Sequence, residues 1–292
     1  MKRLTLLFVL AQVASVAYAE GQADKFGKPS LGIFFAPLDD ELLNVGERKL
    51  KWPTRRGMLA AGVVDGTPAH KAGIKSIDIV THIDGQVIDS QDAVTEAAAK
   101  LEVGKPVQVK YQKVSEGRGR VRWRSAMAMV TPATRFDVIN AQVATHFDDV
   151  TGVTIYKPKE QPEDPLDNEM YCTLMKHEGK LSPYLGLRYR GDDWLFVDSI
   201  IISIGKQRFT IDPEYSDFKR DNSAGRCWEW CDVKADPTNE ADVAWKALSA
   251  VRDTRDVKVT YIGDKYRKDR EVSAGEIYRL WLMLDYFEAT NK

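Results

Sequence analysis

The sequence predicts an α+β protein of two domains behind a cleavable leader. Three observations support this: the length of 292 residues exceeds one typical domain of about 100–150 residues, strand and helix patterns alternate densely from Gly57 to Val130, and the pattern changes after Pro132. We divide the chain into a signal peptide (1–19), a first domain (20–130), a linker with a helix (131–168) and a second α+β domain with antiparallel strands (169–292).

The first 19 residues have the three parts of an export signal. Lys2 and Arg3 precede an apolar core, and the small-x-small site Ala17-Tyr18-Ala19 follows. We expect cleavage near Ala19 and a periplasmic or secreted protein with no transmembrane segment in the mature chain, because the apolar run is too short to span a bilayer. Without Lys2 and Arg3 the formal charge changes from −1 to −3, which gives no electrostatic basis for binding nucleic acid.

The first domain is predicted element by element. A strand in GMLAAGVV precedes a single-turn helix in DGTPAHKAGI, for which Thr67 suits the N-cap, Pro68 the first helical position and Gly73 the C-terminal stop. Asp84-Gly85 is a strong tight-hairpin signal between two further strands. Ser90 is positioned to cap the alanine-rich helix QDAVTEAAAKL, and PVQVKYQKV with RVRWRSAMAMV forms a closing hairpin.

Taken together, SLGIF, GMLAAGVV, DGTPAHKAGI, DIVTHIDGQVI, the alanine-rich helix and EVGKPVQV resemble a bacterial PDZ domain, in particular the modules appended to HtrA-type proteases. The resemblance covers roughly residues 28–130 and implies a small β-barrel or sandwich with two helices. Two departures stand out. Ile77 precedes Asp78 where the family usually has glycine, and the basic insert ERKLKWPTRR lengthens the segment between the first two strands.

The resemblance also implies a peptide site. The amides of Leu31, Gly32 and Ile33 would form a nest for a peptide's terminal carboxylate, with Lys28 adding positive charge. The peptide would then pair with the following strand as an added β-strand. The alternative is that residues 30–36 are a core strand beside a groove that no longer binds.

The walls of that groove are also implied by the resemblance. Phe35 would border the peptide on the strand, and Ala93 with Ala97 would line the helix opposite. Alanine at position 93 predicts an apolar preference, where many eukaryotic relatives carry a histidine. A second copy of the pattern, YLGL (Tyr184 to Leu187), lacks the downstream elements at PDZ spacing and is predicted to be an ordinary strand.

In the second domain, strands are predicted at YCTLMKH, YLGLRYR, WLFVDSIIISI with QRFTI, RCWEWCDV and DVKVTYIG. Thr238 or Asn239 is expected to cap the helix in EADVAWKALSAV, and the capping box Ser273-x-x-Glu276 opens the last helix. This domain resembles only stretches of uncharacterised bacterial proteins.

The three cysteines leave at least one thiol unpaired within the chain. Cys227 and Cys231 are four residues apart on a predicted strand, about 13 Å, which is too far for a bridge. A disulfide of Cys172 with Cys227 or Cys231 stays open. No metal site or cofactor is expected, because the histidines and cysteines form no ligand pattern.

Enzyme signals in the second domain are weak. Asp221 to Gly225 (DNSAG) is faintly similar to the nucleophile stretch of trypsin-like proteases, with His146 or His177 as a conceivable base. Five tryptophans leave a small-ligand or carbohydrate site open there, although aromatic residues in alternating strands belong more often to a core; they are Trp194, Trp228, Trp230, Trp245 and Trp281.

These patterns predict an exported, non-catalytic PDZ binding protein that captures apolar C-terminal or extended segments of envelope proteins, as an adaptor or in quality control. Two other functions are kept. One is a hydrolase or protease-associated enzyme with its active site in the second domain and the PDZ domain delivering substrate. The other is a structural component of the envelope.

Overall fold

The chain divides into two compact units, Met1–Gln142 and Val143–Lys292. The predicted leader and residues 47–55 of the basic insert lie outside the part that is described. The computed structural model describes residues 26–38, 56–117, 120–160, 167–254, 256–264 and 266–291.

The described part of the first unit consists of eight strands, of which β6 and β7 are the longest, and three short helices. The strands are β1 (Pro29–Ser30), β2 (Ile33–Pro37), β3 (Met58–Val63), β4 (Ile79–Ile83), β5 (Gln86–Val87), β6 (Val107–Gly117), β7 (Arg120–Val130) and β8 (Ala133–Thr134). The helices are α1 (Pro68–Lys71), α2 (Gln91–Ala99) and α3 (Arg135–Asn140).

The main sheet of this unit is antiparallel and open, in the order β2-β3-β4-β6-β7, with β5 paired to β4. Its main core contains Met58, Val80 and Val109 from the strands, Ala69 of α1 and Ala97 of α2, all of them buried. The predicted α+β class is confirmed. Among the described strands the sheet is open, and β2 pairs there only with β3, so it lies at an edge of the described sheet.

The local signals of the first unit form as predicted. Asp84 and Gly85 have φ values of 47° and 82°, as the tight hairpin requires, and Gly73 has a φ of 82° after α1. Ser90 caps α2 by accepting the Ala93 N–H. Thr67 does stand at the N-cap of α1, but its hydroxyl donates to the Val64 carbonyl at 2.6 Å instead of accepting from the helix.

The first unit extends beyond residue 130, where the sequence placed the end of the domain. Strand β1 pairs with β8, and the Phe136 N–H donates to the Phe26 carbonyl at 3.0 Å. Helix α3 lies within the predicted linker, whereas residues 143–148 and 153–158 of that linker form strands β9 and β10 of the second unit. The difference arises because residues just beyond 130 bond to the first unit: the Arg135 N–H donates to the Lys28 carbonyl and the Gly104 N–H donates to the Pro132 carbonyl.

The second unit contains ten described strands and two helices. The strands are β9 (Val143–Asp148), β10 (Val153–Pro158), β11 (Glu169–His177), β12 (Lys180–Gly191), β13 (Val197–Ile204), β14 (Gln207–Ile211), β15 (Lys219–Ser223), β16 (Arg226–Lys234), β17 (Val257–Gly263) and β18 (Arg267–Glu271). The helices are α4 (Val243–Ala250) and α5 (Ala274–Thr290). All pairings are antiparallel, in two sheets ordered β15-β16-β12-β11-β10-β9 and β14-β13-β17-β18.

A buried carboxylate connects these two sheets. Glu229 on β16 is 1% exposed and accepts the backbone N–H groups of Leu195, Phe196 and Val197 at 2.8–2.9 Å. Arg220 adds a charged hydrogen bond at 3.2 Å. These partners satisfy the charge that burial would otherwise penalise, so Glu229 holds the start of β13 against β16.

Of the two helices in the second unit, α5 begins where the sequence predicts and α4 does not. The capping box Ser273-x-x-Glu276 forms at α5 as expected. Helix α4 begins later than predicted, at Val243 with Asp242 as its cap, because Asn239 instead accepts the Ala241 N–H in the preceding turn. No helix in the described ranges is long and apolar enough to cross a membrane.

The disulfide left open by the sequence does not form: Cys172, Cys227 and Cys231 are all free and buried. Strand β12 lies between β11, which carries Cys172, and β16, which carries the other two. Two strand spacings separate the backbones by roughly 10 Å, beyond the reach of a disulfide. Burial raises the pKa of Cys172 and of Cys231 to about 12, so both thiols are protonated at neutral pH.

Candidate peptide-binding groove

The groove begins at the two-residue loop Leu31–Gly32 between β1 and β2. Gly32 has a φ of 76°, a conformation that L side chains rarely adopt. A Cβ atom at this position would also lie 2.4 Å from the Cβ of Thr67. Glycine is therefore required here for both conformation and space.

Helix α1 sets the direction of the amides in this loop. The Leu31 carbonyl accepts the Ala69 N–H at 2.9 Å, and the Gly32 carbonyl accepts the Val64 N–H at 3.3 Å. In a trans peptide the N–H points opposite to the carbonyl. The amides of Gly32 and Ile33 are thus directed away from α1 and β3, and successive amides arranged in this way form an anion-binding nest.

Ser30 is a member of this site that the sequence did not indicate. Its hydroxyl accepts the Gly32 N–H at 3.3 Å. A carboxylate bound at Gly32 would replace this weak contact. The only signal in the sequence was a hydroxyl residue two positions before the glycine.

Two residues of strand β2 direct their backbone N–H and C=O groups away from β3, at the edge of the described sheet. Because the Gly32 carbonyl bonds to Val64, the pair Ile33–Val63 is of the non-hydrogen-bonded type, and the N–H and C=O of Ile33 face outward. The same holds for Phe35. Its partner Ala60 uses both of its backbone groups on Ile77 and Asp78, so the backbone groups of Phe35 also face outward.

Helix α2 forms the opposite wall, since it packs against β2. Ala93 and Ala97 are four residues apart and share a helix face; Ala97 is buried in the main core and Ala93 is half-buried. The side chains of Ile33 and Phe35 pack against the same core, together with Val94, which the sequence did not indicate. Ile33, Phe35 and Ala97 therefore meet at the main core, and Ala93 lies on the same face of α2 as Ala97.

Lys28 lies just before β1 and is exposed. Its carbonyl accepts the Arg135 N–H at 2.8 Å, which ties the start of the groove to α3. Lys28 is three residues from Leu31, close enough in sequence for a long side chain to add positive charge near the loop.

The second copy of the motif, YLGL, lies in the interior strand β12, between β11 and β16. Gly186 makes room there for the ring of Tyr171: a Cβ at Gly186 would fall 2.0 Å from that ring. The Tyr171 hydroxyl donates to Asp232 at 2.8 Å. This glycine allows side-chain packing, which agrees with the predicted structural role of YLGL.

The conceivable catalytic residues of the second unit are not brought together. Ser223 lies on β15 and His146 on β9, at opposite edges of the six-stranded sheet and five strand spacings apart, roughly 24 Å. His177, on β11, is three spacings from β15, roughly 14 Å. Neither histidine can reach Ser223 as a base.

A polar cleft of about 840 Å³ lies in the second unit, and its described lining contains no tryptophan. It is bordered by both acidic and basic side chains, such as Asp167, Arg190 and Arg226. The five tryptophans are thus not gathered there, and a small-ligand site in this unit stays a prediction. Among the described residues, no three His, Cys, Asp or Glu side chains are grouped to hold a metal ion.

An edge strand with outward backbone groups, next to a loop of directed amides and a packed helix, defines a module of the class that binds peptides by strand addition. Comparison with known families agrees with this class. Residues 29–118 match the family described as PDZ domain, and this segment of the chain is a PDZ domain.

The chain was also compared with solved structures and with curated proteins. One similar solved structure is the HtrA3 PDZ domain bound to a phage-derived ligand (FGRWV), at 17% identity and a TM-score of 0.29, covering 36% of this chain and 86% of that chain. No curated protein matches the chain.

Proposed function

We propose that this protein is an exported binding protein without catalytic activity of its own, which captures apolar C-termini or extended segments of envelope proteins through its PDZ domain. It would serve as an adaptor or in quality control. The observation that carries the proposal is the open edge of β2, where Ile33 and Phe35 direct their backbone groups outward beside α2.

A terminal carboxylate suits the loop at the start of this edge. The amides of Gly32 and Ile33 point away from the carbonyl groups that α1 and β3 hold, and the exposed Lys28 is nearby in sequence. Hydrogen bonds from N–H groups to an ionised acceptor are stronger than neutral ones. The loop therefore favours a free C-terminus over an internal segment.

The side walls favour apolar peptide residues. The predicted wall residues have no side chain that can form a hydrogen bond; they are Ala93, Ala97, Ile33 and Phe35. A polar peptide residue enclosed there would lose water without a replacement partner. We expect dissociation constants on the order of micromolar, because a short peptide buries little area and loses its own freedom on binding.

For the second unit we propose a role as scaffold or second binding site. The separation of Ser223 from both histidines supports a role without acyl-transfer chemistry. The proposed export of the protein is supported by the leader sequence alone.

The test compares one apolar peptide with a free C-terminal carboxylate and the same peptide with a C-terminal amide, by isothermal titration with the mature chain. We expect the amide to bind at least about tenfold more weakly, because the charge-assisted bonds to the loop are lost. Ala93→Glu should weaken the free acid similarly, because it places a charge in the groove.

Ala98→Glu is the matched control, since Ala98 is exposed on the same helix; it should bind like the wild type. Equal affinity for acid and amide, or equal loss in Ala93→Glu and Ala98→Glu, would contradict the proposed site.

A further inference from the structure

Pro37, at the end of β2, interrupts the row of backbone groups that β2 offers. Backbone groups of a strand alternate in direction, and those of Ile33 and Phe35 face outward, so position 37 is the next outward one. Pro37 is exposed, and proline has no N–H to donate. The edge therefore has donors at Ile33 and Phe35, and only a carbonyl at position 37.

The consequence for a bound peptide follows from antiparallel pairing. With its carboxylate at the Gly32 amide, the peptide's last residue lies beside Ile33, and the third residue from its end lies beside Phe35. The fifth residue from the end then lies beside Pro37. Its carbonyl finds no donor, whereas the carbonyl of the third residue accepts the Phe35 N–H.

We propose that Pro37 limits the length of peptide that this groove recognises, so that the ligands are short apolar C-terminal tails read over their last four residues. The inference rests on the proposed peptide-binding function. Peptide residues further upstream accept no backbone hydrogen bond from an N–H donor of β2. The groove therefore does not select the peptide sequence upstream of the tail. Proline at an exposed sheet edge also discourages pairing with long strands.

The test combines a protein variant with peptide length. Wild-type protein should bind a four-residue apolar tail and its eight-residue extension with affinities within about twofold. Pro37→Ala supplies the missing N–H, and one added hydrogen bond should tighten binding of the eight-residue peptide by about three- to tenfold. The four-residue peptide does not reach position 37, so its affinity should not change.

A third peptide serves as control: the eight-residue peptide in which the carbonyl of the fifth residue from the end is reduced to a methylene group. The gain in Pro37→Ala should vanish with it. If the wild type already binds the long peptide much more tightly, or if Pro37→Ala changes both lengths equally, Pro37 does not set the length. If the wild type binds none of the peptides, the proposed function itself fails.

Discussion

At the scale of single residues, Ile77 explains why the family favours glycine at its position. Its φ is 81°, in a region where a β-branched side chain is strained. The position is fixed on both sides, because the Ile77 N–H donates to Ala60 and the buried carboxylate of Asp78 accepts the N–H groups of Lys75 and Val114. The Ile77 side chain does contribute packing, against a small cluster of Ala36, Leu59 and Ile79.

We therefore predict a reversed order of stability at position 77. Ile77→Gly and Ile77→Ala both lose the packing of the side chain beyond Cβ, but only glycine relieves the backbone strain. Ile77→Gly should be more stable than Ile77→Ala by about 1 kcal/mol, measured as the free energy of unfolding in urea.

At an ordinary strand or helix position the glycine variant would be the less stable of the two. That ordinary order, found at position 77, would show that the backbone there relaxes to a negative φ.

At the scale of elements, the start of α5 depends on the buried carboxylate of Glu276. It accepts the N–H groups of Ser273 and Met170, at 2.9 and 2.8 Å, and pairs with Arg270 at 2.7 Å. Burial opposes ionisation of Glu276, but the Arg270 guanidinium and the backbone donors outweigh it, so its pKa lies below the ordinary 4.5. One carboxylate thus joins α5 to β18 and β11.

This arrangement predicts a pH-dependent stability. Since the folded pKa of Glu276 is depressed, its contribution is fully present above the ordinary pKa of 4.5 and is lost as pH falls through the lowered value. Glu276→Gln should cost about 3 kcal/mol at neutral pH, and the difference from the wild type should shrink in acid. Urea unfolding of the wild type and of Glu276→Gln, at neutral pH and in acid, measures this difference in stability.

The exposed Glu240 provides the control, Glu240→Gln, which should change neither stability nor its pH dependence. A deficit in Glu276→Gln that persists unchanged in acid would show that packing, and not the charge of Glu276, matters.

At the scale of the whole molecule, residues beyond 130 support the start of the groove in the first unit. Strand β1, which leads into the Leu31–Gly32 loop, is held by β8, and the Gly104 N–H donates to Pro132 at 2.9 Å. Without β8 and α3, the Leu31–Gly32 loop would lose its N-terminal support.

We predict that a fragment of residues 26–142 is more stable than one of 26–130 by at least about 3 kcal/mol, because the shorter one exposes Phe26 and lacks Val138 and Ile139. Thermal unfolding of both fragments measures this. Peptide affinity should fall in the shorter fragment as well. Equal stability would place the end of the domain at 130, where the sequence had placed it.

The features that depend on neighbours along the chain could be predicted from the sequence. The Asp84-Gly85 turn, the cap at Ser90, the stop at Gly73 and the capping box at Ser273 each need only a few adjacent residues. The order of these signals also sufficed for the PDZ assignment.

The features that depend on partners distant in sequence could not be predicted in this way and required the fold. It separated Gly32, which turns an edge loop beside Thr67, from Gly186, which makes room for Tyr171. It moved the end of the first unit to Gln142 and placed β12 between the cysteines. A residue's place at the edge or in the interior of a sheet is set by strand pairing. Because strand pairing joins segments that are distant in sequence, no local pattern shows which segments will pair.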